Sequence, residues 1–423
     1  MKRLVHSINK VFYYGWIIVA LGGLAFFMSA PGQTYSISVF INEYKTVFPG
    51  YSSTLISSAY SIATTISGLL LVFMGKAIDK HGQRKMMMIV GFLLAATAFY
   101  NSFVSNIVMI AIGFFMLRYF GQGSMTLLPN SLVPQWFEKK RALAISLATI
   151  GGLFASLLVP SINFWLIETL GWQTAWRIWS LVLVIIFIPM VFLFAANRPE
   201  EYGLTMENEV HASKEDMKRA LTKMNANSFS LKEAMNTKEF WFVGIISMIP
   251  SMFTTGITFH FFTLMELRTV TNETAAMIIG LLALPAFLVP FLAKPVIDKQ
   301  PVKRVLSFTL LMIILSMFFL TFGVTGQYMA ITFILFYGLF MAIQNITTNV
   351  TWPNYFGRKN LGTIRGAATV FMVIGSALGP LPFGISYDLT GGYNAAIIGM
   401  IVFTFIALSF SFFIHQPSKP HSL

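Results

Sequence analysis

Hydrophobic positions in this chain come in long blocks, not in stripes. Twelve apolar runs are separated by short polar segments, at roughly 14–40, 53–76, 86–104, 107–135, 142–166, 175–196, 240–266, 273–293, 305–323, 328–352, 364–386 and 394–415. A helix needs about 20 residues to cross the hydrocarbon core of a bilayer, and each run is of that order. Strands of a membrane barrel would be about ten residues long and would alternate apolar with polar. The pattern therefore predicts an all-α membrane protein with 12 transmembrane helices.

The blocks also carry an internal copy displaced by 219 positions. Gly75-Lys76-Ala77-Ile78-Asp79-Lys80 followed by Gln83-Arg84-Lys85 recurs as Lys294-Pro295-Val296-Ile297-Asp298-Lys299 followed by Val302-Lys303-Arg304. Asn130 and Pro134-Gln135-Trp136-Phe137 recur in the same register as Asn349 and Pro353-Asn354-Tyr355-Phe356. One register kept at two loop junctions predicts two pseudo-symmetric six-helix bundles, residues 1–196 and 239–423. Between them, the polar stretch 197–238 reads as a cytoplasmic linker, with Ser213 to Met224 as a short surface helix. In an apolar chain, paired halves are the signature of a transporter whose halves rock about a central site.

Composition agrees with the pattern, at 56% hydrophobic and 11% charged, where a soluble domain is about a quarter charged. The net charge of +13 raises the question of a nucleic-acid partner, and its distribution answers it. Of the 29 Lys and Arg, all but Lys45, Arg118, Arg177 and Arg268 fall on one side when alternate loops are counted. That is the positive-inside rule; it puts both termini in the cytoplasm of a bacterial-type inner membrane and predicts no nucleic-acid partner. The run after Met1 to Lys10 is long enough to span and reads as a retained first helix, not a removed signal. Cysteine is absent, which removes disulfides and thiol ligands.

No phosphate-binding G-x-x-x-x-G-K-[ST] loop occurs, so the chain carries no built-in ATPase. Nor is there a His-Glu pair at metalloprotease spacing. The expectation is a protein that is not an enzyme, with no cofactor and no metal. The loop around Asp79 has a mechanical reading instead. Gly75 and Gly82 allow close approach and a tight turn. Asp79 can face the positive end of a neighbouring helix or pair with Arg84, and Asp298 with Lys303 or Arg304 would repeat this lock in the other half.

Gly75-x-x-x-Asp79-Lys80-x-Gly82-x-Arg84-Lys85 resembles the loop signature of the major facilitator superfamily. Further segments resemble its branch of oxalate/formate antiporters and monocarboxylate porters: Arg118-x-x-Gly121-Gln122-Gly123, Gly171-Trp172-Gln173-x-Ala175-Trp176, Arg198-Pro199-Glu200-Glu201-Tyr202-Gly203, and Tyr387-Asp388-Leu389-Thr390-Gly391. The resemblance implies alternating access, with a cavity lined by the first, fourth, seventh and tenth spans, in a protein that usually works as a monomer among membrane lipid.

On those spans an ionisable group is costly and by default functional. Arg118 stands about mid-depth on the fourth, with Gln122 four residues on and Tyr337 as its repeat equivalent. A guanidinium in low dielectric suits a carboxylate; the structural alternative is an Arg bonded to backbone carbonyls or to Gln122. His260 on the seventh span could carry a coupling proton, bind an anion, or be a satisfied wall residue. Gln33 and Tyr35 on the first span and Gln344, Asn345 and Asn349 on the tenth offer neutral hydrogen-bonding groups, or helix–helix contacts. Pro31-Gly32 predicts a break in the first span. The eighth, Glu273 to Ala293, holds no Lys or Arg, so one Arg118 fits a monoanion better than a dianion.

The expected function is secondary active transport of a small organic anion, a monocarboxylate, by symport or antiport. Two alternatives stay open: a drug or other small-molecule/proton antiporter of the same fold, or a nutrient sensor that binds without transporting.

Overall fold

A computed structural model describes residues 2–137, 140–204, 229–282, 284, 285, 288, 289, 300–322, 326–357, 361–412, 414 and 417. Ser213 to Met224 and Asp298 lie outside the described residues. Among those described, the chain is helical and has no strand.

Nine helices are long and apolar enough to cross a membrane among the described residues: Gly15–Val47, Ser53–Ile78, Ile107–Gln135, Leu143–Leu170, Trp172–Phe194, Lys238–Phe259, Lys303–Phe322, Val370–Thr390 and Asn394–Ser411. They coincide with nine of the twelve apolar runs. At the other three, the chain is helical over Gln83–Asn101, Asn272–Leu281 and Gln327–Phe356. In the eighth run, residues 283, 286, 287 and 290–293 lie outside the described residues.

Local chemistry sets the ends. Ser52 accepts from the Leu55 N–H and Asn106 from the Met109 N–H, each giving a buried-run helix its first hydrogen-bond acceptor. Gly82 (φ +80°) and Gly171 (φ +81°) are single-residue joints, ending the second and fifth helices and opening the third and sixth. Such a φ strains any residue with a Cβ. Outward faces are marked by bulky side chains at helical spacing, as Ile62, Leu69 and Phe73 on the second span are 61%, 63% and 60% exposed. Apolar surface on that scale needs lipid, not water, against it.

The described chain divides into two compact units, Met1–Val210 with Asn272–Gly280, and His211–Thr271 with Leu281–Leu423. Each has the same internal pairing. In the first unit, the first span packs most extensively on the fifth; a Cβ on Gly151 would overlap the Gly23 carbonyl. In the second, the seventh packs on the eleventh; a Cβ on Gly256 would stand 2.7 Å from the Gly379 carbonyl. Small residues let helix backbones approach closely in a membrane. Gly391 (φ +70°) ends the eleventh span much as Gly171 ends the fifth.

Candidate functional site

The site begins with a break in the first span. Pro31 has no N–H to donate and its ring crowds the preceding turn. The helix Gly15–Met28 accordingly gives way to a tight turn, Ala30–Gly32, and to an extended Gln33, before Thr34–Val47 resumes. The Gln33 side chain donates to Ser29 Oγ at 3.0 Å across the break.

Opposite it, the fourth span is underwound, with more residues per turn than an α-helix. Between the α-helices Ile107–Met116 and Met125–Leu132 lies a π-helical stretch, Leu117–Ser124. Such wider turns concentrate at functional sites. The stretch contains Gly121, and the first-span turn contains Gly32. A Cβ on Gly32 would fall 2.6 Å from the Gln122 nitrogen and 2.7 Å from Gly121 Cα, while one on Gly121 would fall 2.7 Å from Gly32 Cα. Only two glycines permit this crossing.

The crossing sets Arg118 over the freed backbone. Its side chain is buried, 3% exposed. Nη1 donates to Thr34 Oγ1 at 3.2 Å and, at long reach, to the Gly32 carbonyl at 3.5 Å. The guanidinium carbon lies 5.2 Å from the Tyr60 ring centroid, and Tyr60 Oη stands 2.8 Å from Thr34 Oγ1. Nε is buried with no hydrogen-bond partner. No carboxylate pairs with Arg118 among the described residues. A desolvated cation–π contact offsets about 2 kcal/mol, whereas burying an ion costs several kcal/mol even after relaxation. The charge is held by partial dipoles and a ring face, with donor capacity to spare.

The first unit thus brings Arg118 together with the first-span break, where Gln33 and Tyr35 flank Thr34; Gln122 is half-buried on the same π stretch. Thr34 and Tyr60, the groups that touch the guanidinium, are absent from the sequence-based candidates. The signal for Thr34 was its place two residues after Gly32; nothing in sequence singled out Tyr60.

The remaining candidates belong to the second unit. His260 follows the helix Lys238–Phe259 and is 1% exposed. A carbonyl can only accept, so Nε2–H donates to Pro380 O at 3.1 Å, leaving Nδ1 to accept from the Tyr393 hydroxyl at 3.1 Å. Tyr337 is buried, stacked on Phe333 with centroids 5.0 Å apart and set edge-on to Phe253 at 5.4 Å. Gln344 lines a small recess with Ser247, Thr309 and Thr351. Asn345 and Asn349 sit on the helix Gln327–Phe356, their side chains outside the described residues.

Of the expected locks, Arg84 has a clear anchor. Its Nη2 donates to the Phe192 carbonyl at 2.7 Å and its backbone N–H to Asn197 Oδ1 at 2.8 Å. Neighbouring carbonyls at the same helix end are taken by Tyr14 Oη (Phe194 O, 2.8 Å) and Trp136 Nε1 (Ala196 O, 3.0 Å). A helix leaves its last four carbonyls unpaired; here Arg84 and Tyr14 take two of them, and Trp136 takes a carbonyl two residues past the end. Gly75 lies within the second helix and Gly82 at its end, while the Asp79 side chain lies outside the described residues. Arg304 donates to Gln300 Oε1 at 3.2 Å, and the Lys303 carbonyl accepts from Ser307 Oγ at 2.8 Å.

Long apolar helices, outward apolar faces and a buried cation with no ion pair among the described residues define a multi-pass membrane protein. The chain belongs to the Major Facilitator Superfamily, whose sequence profile matches residues 15–380 and 244–422. It is similar to riboflavin transporter RibJ of Trypanosoma cruzi (strain CL Brener), 26% identical over 166 residues, 38% of this chain and 35% of that protein. The RibJ of Trypanosoma brucei brucei is 25% identical over 173 residues, 40% of this chain and 31% of that one. The matched stretch thus spans about a third of each relative's length. Among solved structures, nucleoside transporter NupG superposes with a TM-score of 0.73 at 13% identity, covering 96% of this chain and all of that one. A bacterial homolog of the human lysosomal transporter Spinster superposes at 0.68 and 13%, covering 95% of this chain and 96% of that one. At such identity these two show the fold alone. None of these matches bears on the oxalate/formate or monocarboxylate branch.

Proposed function

We propose that the protein is a secondary transporter of a small organic anion, a monocarboxylate, working by alternating access with Arg118 as the group that binds the anion. The observation that carries this reading is the Arg118 guanidinium, buried beside a helix break with Nε unbonded and no carboxylate partner among the described residues. A carboxylate would take Nε and one terminal nitrogen as a fork, the geometry to which a guanidinium is matched. Thr34, Tyr60 and the Gly32 carbonyl hold the cation in place between cycles. Gln33 and Tyr35, at the break, and Gln122 stand nearest in sequence to serve the rest of the solute.

A second reading has its own support in the similarity to the riboflavin transporters. A planar neutral solute presents carbonyl edges that the same donors would serve, and the Tyr60 face lies alongside.

Counterflow in proteoliposomes separates the two. With the protein reconstituted and preloaded, [14C]acetate or [14C]lactate exchanges under the first reading, and Arg118→Gln abolishes the exchange while leaving the protein inserted. Exchange of [3H]riboflavin without either carboxylate overturns the anion assignment. Binding of any of them without flux, read by thermal shift, makes the protein a sensor.

A further inference from the structure

The second span carries two hydroxyls that the fold does not use. Ser61 Oγ and Thr64 Oγ1 are buried and have no hydrogen-bond partner, although the residues themselves are only 8% and 4% exposed. Their neighbours behave as helical hydroxyls do, bonding back to the preceding turn. Thr65 Oγ1 donates to the Ser61 carbonyl and Ser67 Oγ to the Thr64 carbonyl, each at 2.9 Å. A buried polar group without a partner is uncommon and calls for a reason.

Their position supplies one. The second and fourth spans run side by side in the first unit. Tyr60 lies under Arg118, and Leu71 lies where a Cβ on Gly123 would come within 3.0 Å of its Cδ1. Thr64 is one turn on from Tyr60, on the same side of the helix, and Ser61 is three residues from Thr64. Both therefore fall within the stretch that runs beside the π-helical segment. The third buried and unpartnered atom of that stretch is Arg118 Nε. Three orphaned polar atoms on two adjoining spans point to a shared missing partner.

We infer that Ser61 and Thr64 form the second wall of the solute site that Arg118 opens, donating their hydroxyls to acceptor oxygens of the solute. The inference rests on the reading of Arg118 as a binding group. In the conformation described the atoms are sealed, so the wall is reached only when the transporter opens.

The absence of cysteine makes the test clean. Ser61→Cys, Thr64→Cys and a control, Ser316→Cys, are reconstituted and exposed to anionic methanethiosulfonate ethylsulfonate. Positions 61 and 64 react and counterflow is lost; position 316, a fully buried hydroxyl on a span of the second unit that donates to the Ile313 carbonyl at 2.8 Å, stays inert. Thr64→Val raises KM about tenfold for whichever of [14C]lactate, [14C]acetate and [3H]riboflavin exchanges, the weight of one hydrogen bond. Its unfolding temperature holds or rises, because an unsatisfied group has been removed; a merely structural hydroxyl would lower it. Protection of Thr64→Cys by lactate supports both the wall and the anion reading. Protection by riboflavin alone supports the wall and removes the anion. Labelling at 61 and 64 no faster than at 316, or an unchanged KM in Thr64→Val, overturns the wall whatever the solute.

Discussion

Replacing Arg118 with methionine separates what the charge does for the fold from what it does for the solute. The substitution removes one hydrogen bond to Thr34 at 3.2 Å, a weak one to the Gly32 carbonyl at 3.5 Å, and the contact with the Tyr60 face. Those terms are worth about 1 kcal/mol, less than 1 kcal/mol and about 2 kcal/mol, a loss of roughly 3 kcal/mol in all. On the other side stands the release of a buried, unpaired cation, which costs several kcal/mol to hold, and of an Nε left without an acceptor, about 1–3 kcal/mol. Thr34 and Tyr60 keep each other, their hydroxyl oxygens being 2.8 Å apart. Methionine is flexible enough to fill the vacated channel without a large void. The balance comes out level or in favour of the variant. Thermal unfolding in detergent, followed by tryptophan fluorescence, should therefore show Arg118→Met at least as stable as the native protein, while counterflow falls to background. A loss of more than about 3 kcal/mol would make the guanidinium a structural tie; retained transport would deny it the solute.

Three further outcomes test the surroundings. Gly32→Ala drives a methyl into the Leu117 carbonyl and the backbone of Gln122 and Gly121, so it should cost about 1–3 kcal/mol and lower maximal counterflow well below the level of Gly50→Ala, a position with open space around it. Arg84→Gln withdraws the donor from the Phe192 carbonyl; turnover should drop severalfold with substrate affinity kept, and an equal loss of affinity would contradict a gating role. Asn163→Ala strips partners from Ser36 Oγ (2.8 Å) and Trp179 Nε1 (2.7 Å), all buried. It should destabilise by about 2–4 kcal/mol, and unaltered thermal unfolding would show that the network relaxes without it.

Hydropathy made the spans legible because a bilayer imposes one length on every helix that crosses it. The break at Pro31-Gly32 was legible for an equally local reason, the missing N–H of proline. Arg118 stood out because a charge at membrane depth has few excuses. What escaped were features set by the backbone. The π-helical winding of Leu117–Ser124 is a shift in hydrogen-bond register, and its composition (two glycines and aromatic residues) is common in membrane helices. The anchors of Arg84 and His260 are carbonyls of Phe192 and Pro380, more than 100 residues away, and every residue owns a carbonyl. Ser61 and Thr64 read as ordinary small polar residues; only their lack of partners distinguishes them from Thr65 and Ser67.

The meeting of Gly32 with Gly121 has a mechanical consequence. Where chain touches chain with no side chains between, there are no rotamers to rearrange and no soft layer to absorb a push. The kinked first helix and the loosely wound segment of the fourth must then travel together as one stiff piece. A load on the guanidinium is carried at once along two helices, and a single methyl at either glycine would wedge the backbones apart and break that linkage.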